Sequence, residues 1–354
     1  SRSNISIEKL SEVGLRANQA EAGTYSELIL GLPGDTVSAH RQSLKDTVDS
    51  GFDNIRMYQL IMLPQTELNT PHNRRKYQMQ TMHRIMPRSL GKYRLFNKTF
   101  AAVESEEILV AHSTLSFDSY IVCREMDLMV EILHNGNIYT ELQGLCKTLN
   151  LSWFEFIMRV FEKRKKYDAK FSLLFEDFRA GMISRLWPDQ ASLNREVIQN
   201  IDCVLNDDRG TNEISTAKAT AFFSLFTIIN HIVFNEMCNW LEELKLFDDE
   251  MKSYLKVLER VSFLKKSDLT KPNQEYIDNF TFNIVEMEKY SFFGSPKSYR
   301  LETPQNYRIA HVPQQKIKIS EYFHEFGFST DGLGKLLMRH PHVDRVFRKV
   351  EPLI

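Results

Sequence analysis

One segment constrains this chain more than any other. Tyr25-Ser26-Glu27-Leu28-Ile29-Leu30 is a short, nearly continuous apolar run that ends in Gly31-Leu32-Pro33-Gly34-Asp35-Thr36. A run of that length between helical segments reads as a strand buried on both faces. The glycines and proline break the strand, and the Asp-Thr pair is suited to capping the start of a helix. Val37, Leu44 and Val48 mark that helix over 37–50, and Asn54–Leu63 (NIRMYQLIML) reads as a second strand stopped by Pro64. Residues 6–21 carry a looser helical period ahead of them. Helix, strand, helix, strand with short links is the order of a parallel α/β sheet or barrel.

Two parallel strands do not make a stable sheet alone. Either a later segment near 280–320 pairs with them, or further strands precede Ser1. Near-neighbour pairing in α/β folds favours the second. Residues 66–100 read as loop with one helix near 75–86, and 103–135 as helical. From 138 to about 265 come four or five amphipathic helices, including 153–166, 171–185, 217–247 and 250–264. Residues 276–320 are richer in β-branched and aromatic residues and suggest a few strands, and 326–348 reads as a final helical piece.

Composition narrows the function classes. A net charge of -1 argues against a general nucleic-acid binder. Cys123, Cys146, Cys203 and Cys238 form no Cys-x2-Cys pair, which excludes a zinc ribbon, and their scatter does not resemble a disulfide framework. A reducing, cytoplasmic setting is the expectation. No apolar run approaches ~18–20 residues, so no membrane span is expected. Glu27 stands out, because a carboxylate inside an apolar strand is costly to bury without a partner.

The sequence ELILGLPGDT resembles the fifth-strand motif of radical S-adenosylmethionine (SAM) enzymes, E/D-h-I-h-G-h-P-G-E-T. Arg2-Ser3-Asn4-Ile5 with Glu8-Lys9-Leu10 resembles the stretch after the fourth strand. Tyr58-x-Leu60-x-x-Leu63-Pro64-x-Thr66-x-Leu68 resembles the sixth strand and its loop. Arg75-Lys76-Tyr77, Arg84, Pro87-Arg88, Tyr93, Glu104-x-Glu106-Glu107-Ile108 and Ser116-Phe117-x-x-Tyr120-x-x-x-Arg124 resemble the tail of one subgroup. That subgroup carries a cobalamin-binding domain ahead of the barrel. The resemblance runs over about residues 1–135 and is less distinctive beyond.

The resemblance implies an α/β partial radical SAM (TIM-like) barrel half over 1–68 and a post-barrel extension over 69–137. A mainly α-helical C-terminal domain would follow over 138–354, with a few strands near 276–320. It implies the C-terminal portion of an enzyme that, when complete, uses a 4Fe-4S cluster to cleave SAM to a 5′-deoxyadenosyl radical. Cobalamin is a further cofactor of the subgroup, its use here left open. By the same resemblance Glu27 reaches the ribose hydroxyls of SAM, and Gly31, Pro33 and Gly34 shape the loop beside the adenosine. Arg2 and Asn4 fall near the methionine carboxylate. The implied partners are a small-molecule or natural-product-like substrate and the missing N-terminal half of the barrel, in cis or in trans, with neither nucleic acid nor membrane.

The chain departs from the pattern in three places. Asp35 replaces the usual Glu, and Gln65 replaces a loop glycine, which costs about 1 kcal/mol if that position needs positive φ. The cluster-binding Cys-x3-Cys-x2-Cys is absent, so no metal ligands are expected here and the chain alone is not expected to turn over. Two other readings stand beside the first: a non-catalytic binding or assembly module derived from a degenerate barrel, and the SAM-side half of a split enzyme. The reaction stays open among methyl transfer, rearrangement, oxidation and ring closure.

Other residues carry weaker signals. His40 reads as a solvated helix residue, and His112 as structural or substrate-side. Lys163-Arg164-Lys165-Lys166 reads as a solvated face sooner than as an RNA or membrane site, its charges suited to a helix C-terminus. Arg84, Arg88 and Arg94 are either surface charge or an anionic-substrate patch. His340-Pro341-His342 with Asp344 reads as a surface turn or a metal pair.

Overall fold

The computed structural model describes residues 9, 12, 23–339 and 343–353. Strand β1 spans Tyr25–Leu30, and the turn after it feeds helix α1, Val37–Asp49. The Thr36 hydroxyl caps that helix by accepting from the Ala39 N–H at 3.0 Å, which satisfies a donor left open at every helix start. Strand β2, Asn54–Gln59, lies parallel to β1, with Glu27 opposite Arg56 and Ile29 opposite Tyr58. It is shorter than the apolar run 54–63 because the chain then joins a later strand. The Leu109 N–H donates to the Leu60 carbonyl at 2.9 Å, and the Met62 N–H to the Glu107 carbonyl at 2.8 Å.

The expected loop over 66–100 is instead mostly hairpin. A short helix, α2, covers Pro71–Lys76 rather than 75–86, and β3 (Gln80–Leu95) pairs antiparallel with β4 (Lys98–Ala111). Phe96 and Asn97 join the strands with φ of 48° and 60°. A two-residue loop with both residues in the left-handed region matches the twist of its strands. The acidic run Glu104-x-Glu106-Glu107 suggests helix by propensity, but strand pairing overrides it. The helical reading of 103–135 therefore holds only from α3, Phe117–Leu133.

Helices α4 (Thr140–Thr148), α5 (Trp153–Lys163), α6 (Ala169–Ser184), α7 (Gln190–Gln199) and α8 (Ile201–Asn206) follow, then α9 (Glu213–Ala219), α10 (Phe226–Glu243) and α11 (Asp249–Lys266). The single helix expected over 217–247 is broken between α9 and α10 by a π-helical turn at Thr220–Ser224 and a bend of 86°. Leu225 leaves helical angles there, and its N–H reaches back five residues to the Thr220 carbonyl. The remaining elements are β5 (Tyr276–Phe282), α12 (Ile284–Lys289), α13 (Pro296–Tyr299), β6 (Arg300–Ala310), α14 (Pro313–Phe326), α15 (Thr330–Arg339) and β7 (Lys349–Pro352). Strands β5, β6 and β7 form an antiparallel sheet of their own. The segment near 280–320 therefore does not complete the β1–β2 sheet. The piece 326–348 is only partly helical, with a 3₁₀ turn at Val343–Val346 after α15.

One apolar core runs without interruption from Leu30, Leu44 and Ile55 under the first sheet to Phe347 and Val350 near the end of the chain. Helix α3 lies within it, and even its Arg124, Glu125, Asp127 and Glu131 are buried. Charges in such a place have to be paired. Just past α3, the Asn135 amide takes the place of a strand neighbour for β2. It accepts the Ile55 N–H and donates to the Ile55 carbonyl, both at 2.8 Å.

Among the described residues, the β1–β2 sheet is covered on one face only. Leu30 and Ile55 are fully buried, while Tyr25, Ile29 and Tyr58 on the opposite face are 62%, 46% and 44% exposed. The expected burial on both faces is met on one face alone among the described residues, none of which covers the second. Among the described residues, nothing pairs with the outer edge of β1.

Candidate functional site

The glycine turn is built from backbone. Gly31 is buried with φ of 98°, and a Cβ there would lie 3.0 Å from Leu109. Gly34 has φ of 91° and borders open space. Side chains rarely adopt either conformation. Pro33, half-buried, sits between them. Asp35 locks the turn: its carboxylate accepts the Gly31 N–H at 3.1 Å and the Thr36 N–H at 3.0 Å. The Thr114 hydroxyl braces it by donating to the Asp35 carbonyl at 2.7 Å. Asp in place of Glu therefore still serves as the turn's carboxylate.

Glu27 is exposed, not buried as a strand residue would be, and it faces the open side with Arg56 and Tyr58. The Tyr58 hydroxyl donates to it at 3.4 Å. Arg56 stacks over the Tyr25 ring at 5.3 Å and has no carboxylate partner among the described residues. Arg2 and Asn4 lie outside the described residues.

The covered side of the same sheet carries a chain of buried charges. Arg124 donates to Asp127 at 3.0 Å and to Glu213 at 3.1 Å. Arg84 donates to Glu106 at 2.6 Å and lies 3.5 Å from Glu213, while the Gln59 amide donates to Glu213 at 3.2 Å. Burial alone would raise the Glu213 pKa, but Arg84 and Arg124 hold it down at about 2. His40 closes the chain, its Nε2 at 2.7 Å from Asp127. The expectation of a solvated His40 fails: α1 turns it inward, where it is 3% exposed. Burial disfavours its charged form, yet Asp127, with Asp35 farther off, raises its pKa above the ordinary value.

A cavity of 720 Å³ opens along β2, within the range of small-molecule sites. Its wall includes Arg56 and Tyr58 of β2, Arg84 and Arg88 of β3, Arg124, Glu213, and Lys335 and Met338 of α15. Arg88 and Lys335 share Asp331, at 3.4 and 2.5 Å. The Arg124 Nε is buried without a partner. Such a wall can hold a small polar ligand with an anionic group. Glu27 and the glycine turn do not line it, but Arg56 and Tyr58, which share the open face with Glu27, do. Of the three arginines considered as a patch, Arg84 and Arg88 do line it, while Arg94 sits far along the hairpin.

Several residues were legible in type but not in role. The Arg84–Glu213–Arg124–Asp127 chain joins residues up to 129 positions apart, and only Arg84 and Arg124 carried a sequence signal. His112 is buried near the glycine turn; burial lowers its pKa, and its Nδ1 accepts the Thr114 N–H at 3.2 Å. The basic run is not simply a solvated face: Lys163 binds Glu236 and Arg164 binds Glu125, both at 2.6 Å. Gln65 does take positive φ, at 63°. His340 and His342 lie outside the described residues.

The cysteines do not gather. Cys123 and Cys146 are buried apart, burial pushing the Cys146 thiol up to about 12, and Cys203 is exposed. Among the described residues no three His, Cys, Asp or Glu side chains form a metal-holding group. This donor set does not fit a 4Fe-4S cluster.

Known proteins resemble part of the chain. It is 28% identical over 136 residues to the cobalamin-dependent radical SAM methyltransferase TokK of Streptomyces tokunonensis, a match covering 38% of this chain and 19% of that protein. These relatives are methyltransferases by name. The second, 2-(S-pantetheinyl)-carbapenam-3-carboxylate methyltransferase of Streptantibioticus cattleyicolor, is 24% identical over 180 residues, covering 49% of this chain and 23% of that protein. The matches thus span about a fifth of each relative's length. No protein-family model matches the chain. Among the described residues no single helix is long and apolar enough to cross a membrane.

Proposed function

We propose that this chain is the C-terminal portion of a radical SAM enzyme, its β1–β2 unit forming the last strands of a partial barrel. The complete protein would use SAM, a 4Fe-4S cluster held by another part of the barrel in cis or in trans, and cobalamin. In line with its relatives' names, it would transfer a methyl group to a small, natural-product-like molecule. One observation carries the reading. The strand carboxylate, Glu27, faces an uncovered side of the sheet at the end of which a positive-φ glycine turn borders open space.

Glu27 would accept hydrogen bonds from the ribose hydroxyls of SAM, while Gly31, Pro33 and Gly34 would leave room beside the adenosine. The cluster, held by the other part of the barrel, would supply the reductive chemistry that cleaves SAM; this chain's residues would hold the SAM nucleoside. The cavity along β2 would hold the substrate, with Arg56 and Arg88 offered to an anionic group on it.

The test joins this chain, fused or mixed, to a barrel half carrying Cys-x3-Cys-x2-Cys and reconstitutes iron and sulfide anaerobically. Release of 5′-deoxyadenosine from SAM is expected only when this chain is present. Glu27→Ala should lower it by about tenfold or more. Equal release without this chain, or with Glu27→Ala, would overturn the proposal.

A further inference from the structure

The β3–β4 hairpin carries a feature that the SAM-side reading does not use. Residues 92–100 are exposed without a break. Below them, Leu90, Ala101 and Val103 pack on Trp187, Leu193, Val197 and Ile201. The base of the hairpin is thus anchored while its end projects from the body. The projecting end is apolar where solvent would favour polar residues: Tyr93 is 59% exposed, Leu95 56%, Phe100 48% and Phe96 88%. Tyr93 faces Phe100 across the strands, and Leu95 faces Lys98. The loop's positive φ values fix Phe96 at the apex.

Charge is arranged around that apex. From Lys92 to Val103 the sequence holds Lys92, Arg94 and Lys98 and no carboxylate. Lys92 is engaged by Asp202 at 2.6 Å. Arg94 and Lys98 have no carboxylate partner among the described residues.

We propose that this hairpin tip is a docking finger for an anionic lipid surface. A convex end with an aromatic apex offers no face to cover a flat protein surface, but it can insert at the boundary between headgroups and acyl chains. Aromatic side chains favour that boundary. The collar of cations meets negative headgroups when the apex enters. A peripheral contact of this kind needs no spanning helix, so it is a different matter from the expectation, drawn from missing spans, of no membrane partner. A single finger gives weak, reversible, salt-sensitive binding.

Vesicle flotation of the chain tests this directly. The wild type should float with vesicles of phosphatidylcholine containing about one third phosphatidylserine, and about tenfold less with phosphatidylcholine alone or at high salt. Phe96→Asp and Leu95→Asp should each abolish flotation without shifting the unfolding midpoint, because both side chains are exposed. Arg94→Glu with Lys98→Glu should lower it by about tenfold. No flotation, equal flotation with neutral vesicles, or flotation unaffected by Phe96→Asp overturns the proposal. A concentration-dependent dimer lost in Phe96→Asp, with no flotation, overturns it in favour of a second copy as the partner.

Discussion

The two faces of the β1–β2 sheet hold charged side chains of the same kinds and treat them in opposite ways. On the covered face Arg84, Gln59, Glu213, Arg124, Asp127 and His40 are linked through hydrogen bonds and ion pairs, and the first four of them also line the cavity. On the open face one long hydrogen bond joins Tyr58 to Glu27 and one cation–π contact joins Arg56 to Tyr25. Buried charges left unpaired are expensive, so the covered set is bound into the fold. Exposed charges cost little to keep and add little stability. The difference separates structure from availability: the covered face holds the sheet to α1 and α3, and the open face is free to meet a ligand or a further strand.

The comparison is broken most directly at Glu213. Glu213→Ala strips a partner from both Arg84 and Arg124 and should cost about 3–5 kcal/mol in denaturant unfolding at neutral pH. Glu27→Ala should change stability by less than about 0.5 kcal/mol. Equal costs would erase the distinction between the faces. Acid should act through the same site. The Glu213 pKa is depressed from 4.5 to about 2, so its contribution is present above 4.5 and is lost as pH falls from there toward 2. The stability gap between wild type and Glu213→Gln should close over that window.

His40 titrates in the opposite sense and with a smaller effect. Its folded pKa is raised above 6.5. Its charged pairing with Asp127 therefore contributes fully below 6.5 and fades as pH rises through the folded value. His40→Leu should be most destabilising near pH 6, by about 1–3 kcal/mol, with the penalty shrinking toward pH 9 in denaturation curves. A penalty that does not change with pH would mean that packing, not charge, holds His40 inward.

How much of this was legible depends on the range of the interaction. Strand β1, the Thr36 cap and α1 follow from local pattern, and they emerged as the sequence predicts. The β3–β4 hairpin was missed because its acidic stretch from Glu104 to Glu107 favours helix locally, and only cross-strand pairing decides otherwise. The burial of His40 depends on Asp127, 87 residues away, and nothing near His40 announces it. The glycine turn was legible because its constraint is local: backbone angles that glycine alone adopts freely. The cavity wall draws on β2, β3, α3, α9 and α15, and no single stretch of sequence contains it.

The smallest effects test that turn. Gly34 has φ of 91° and nothing within 4 Å of an added Cβ, so packing does not demand a glycine there. Gly34→Ala should cost about 1–2 kcal/mol from backbone conformation alone. Gln65 already pays a similar strain at φ of 63°. Gln65→Gly removes that strain but returns about 0.4–1 kcal/mol of freedom to the unfolded chain, so its net gain should lie between zero and about 1.6 kcal/mol. Unfolding curves of the two variants therefore bracket what positive φ is worth on this side of the sheet. If Gly34→Ala is neutral, the fold does not impose the turn's geometry, and the open face loses its claim to be a pre-shaped site. If Gly34→Ala carries the full penalty with no packing to explain it, the backbone itself holds the turn open, as a surface kept clear for a ligand requires.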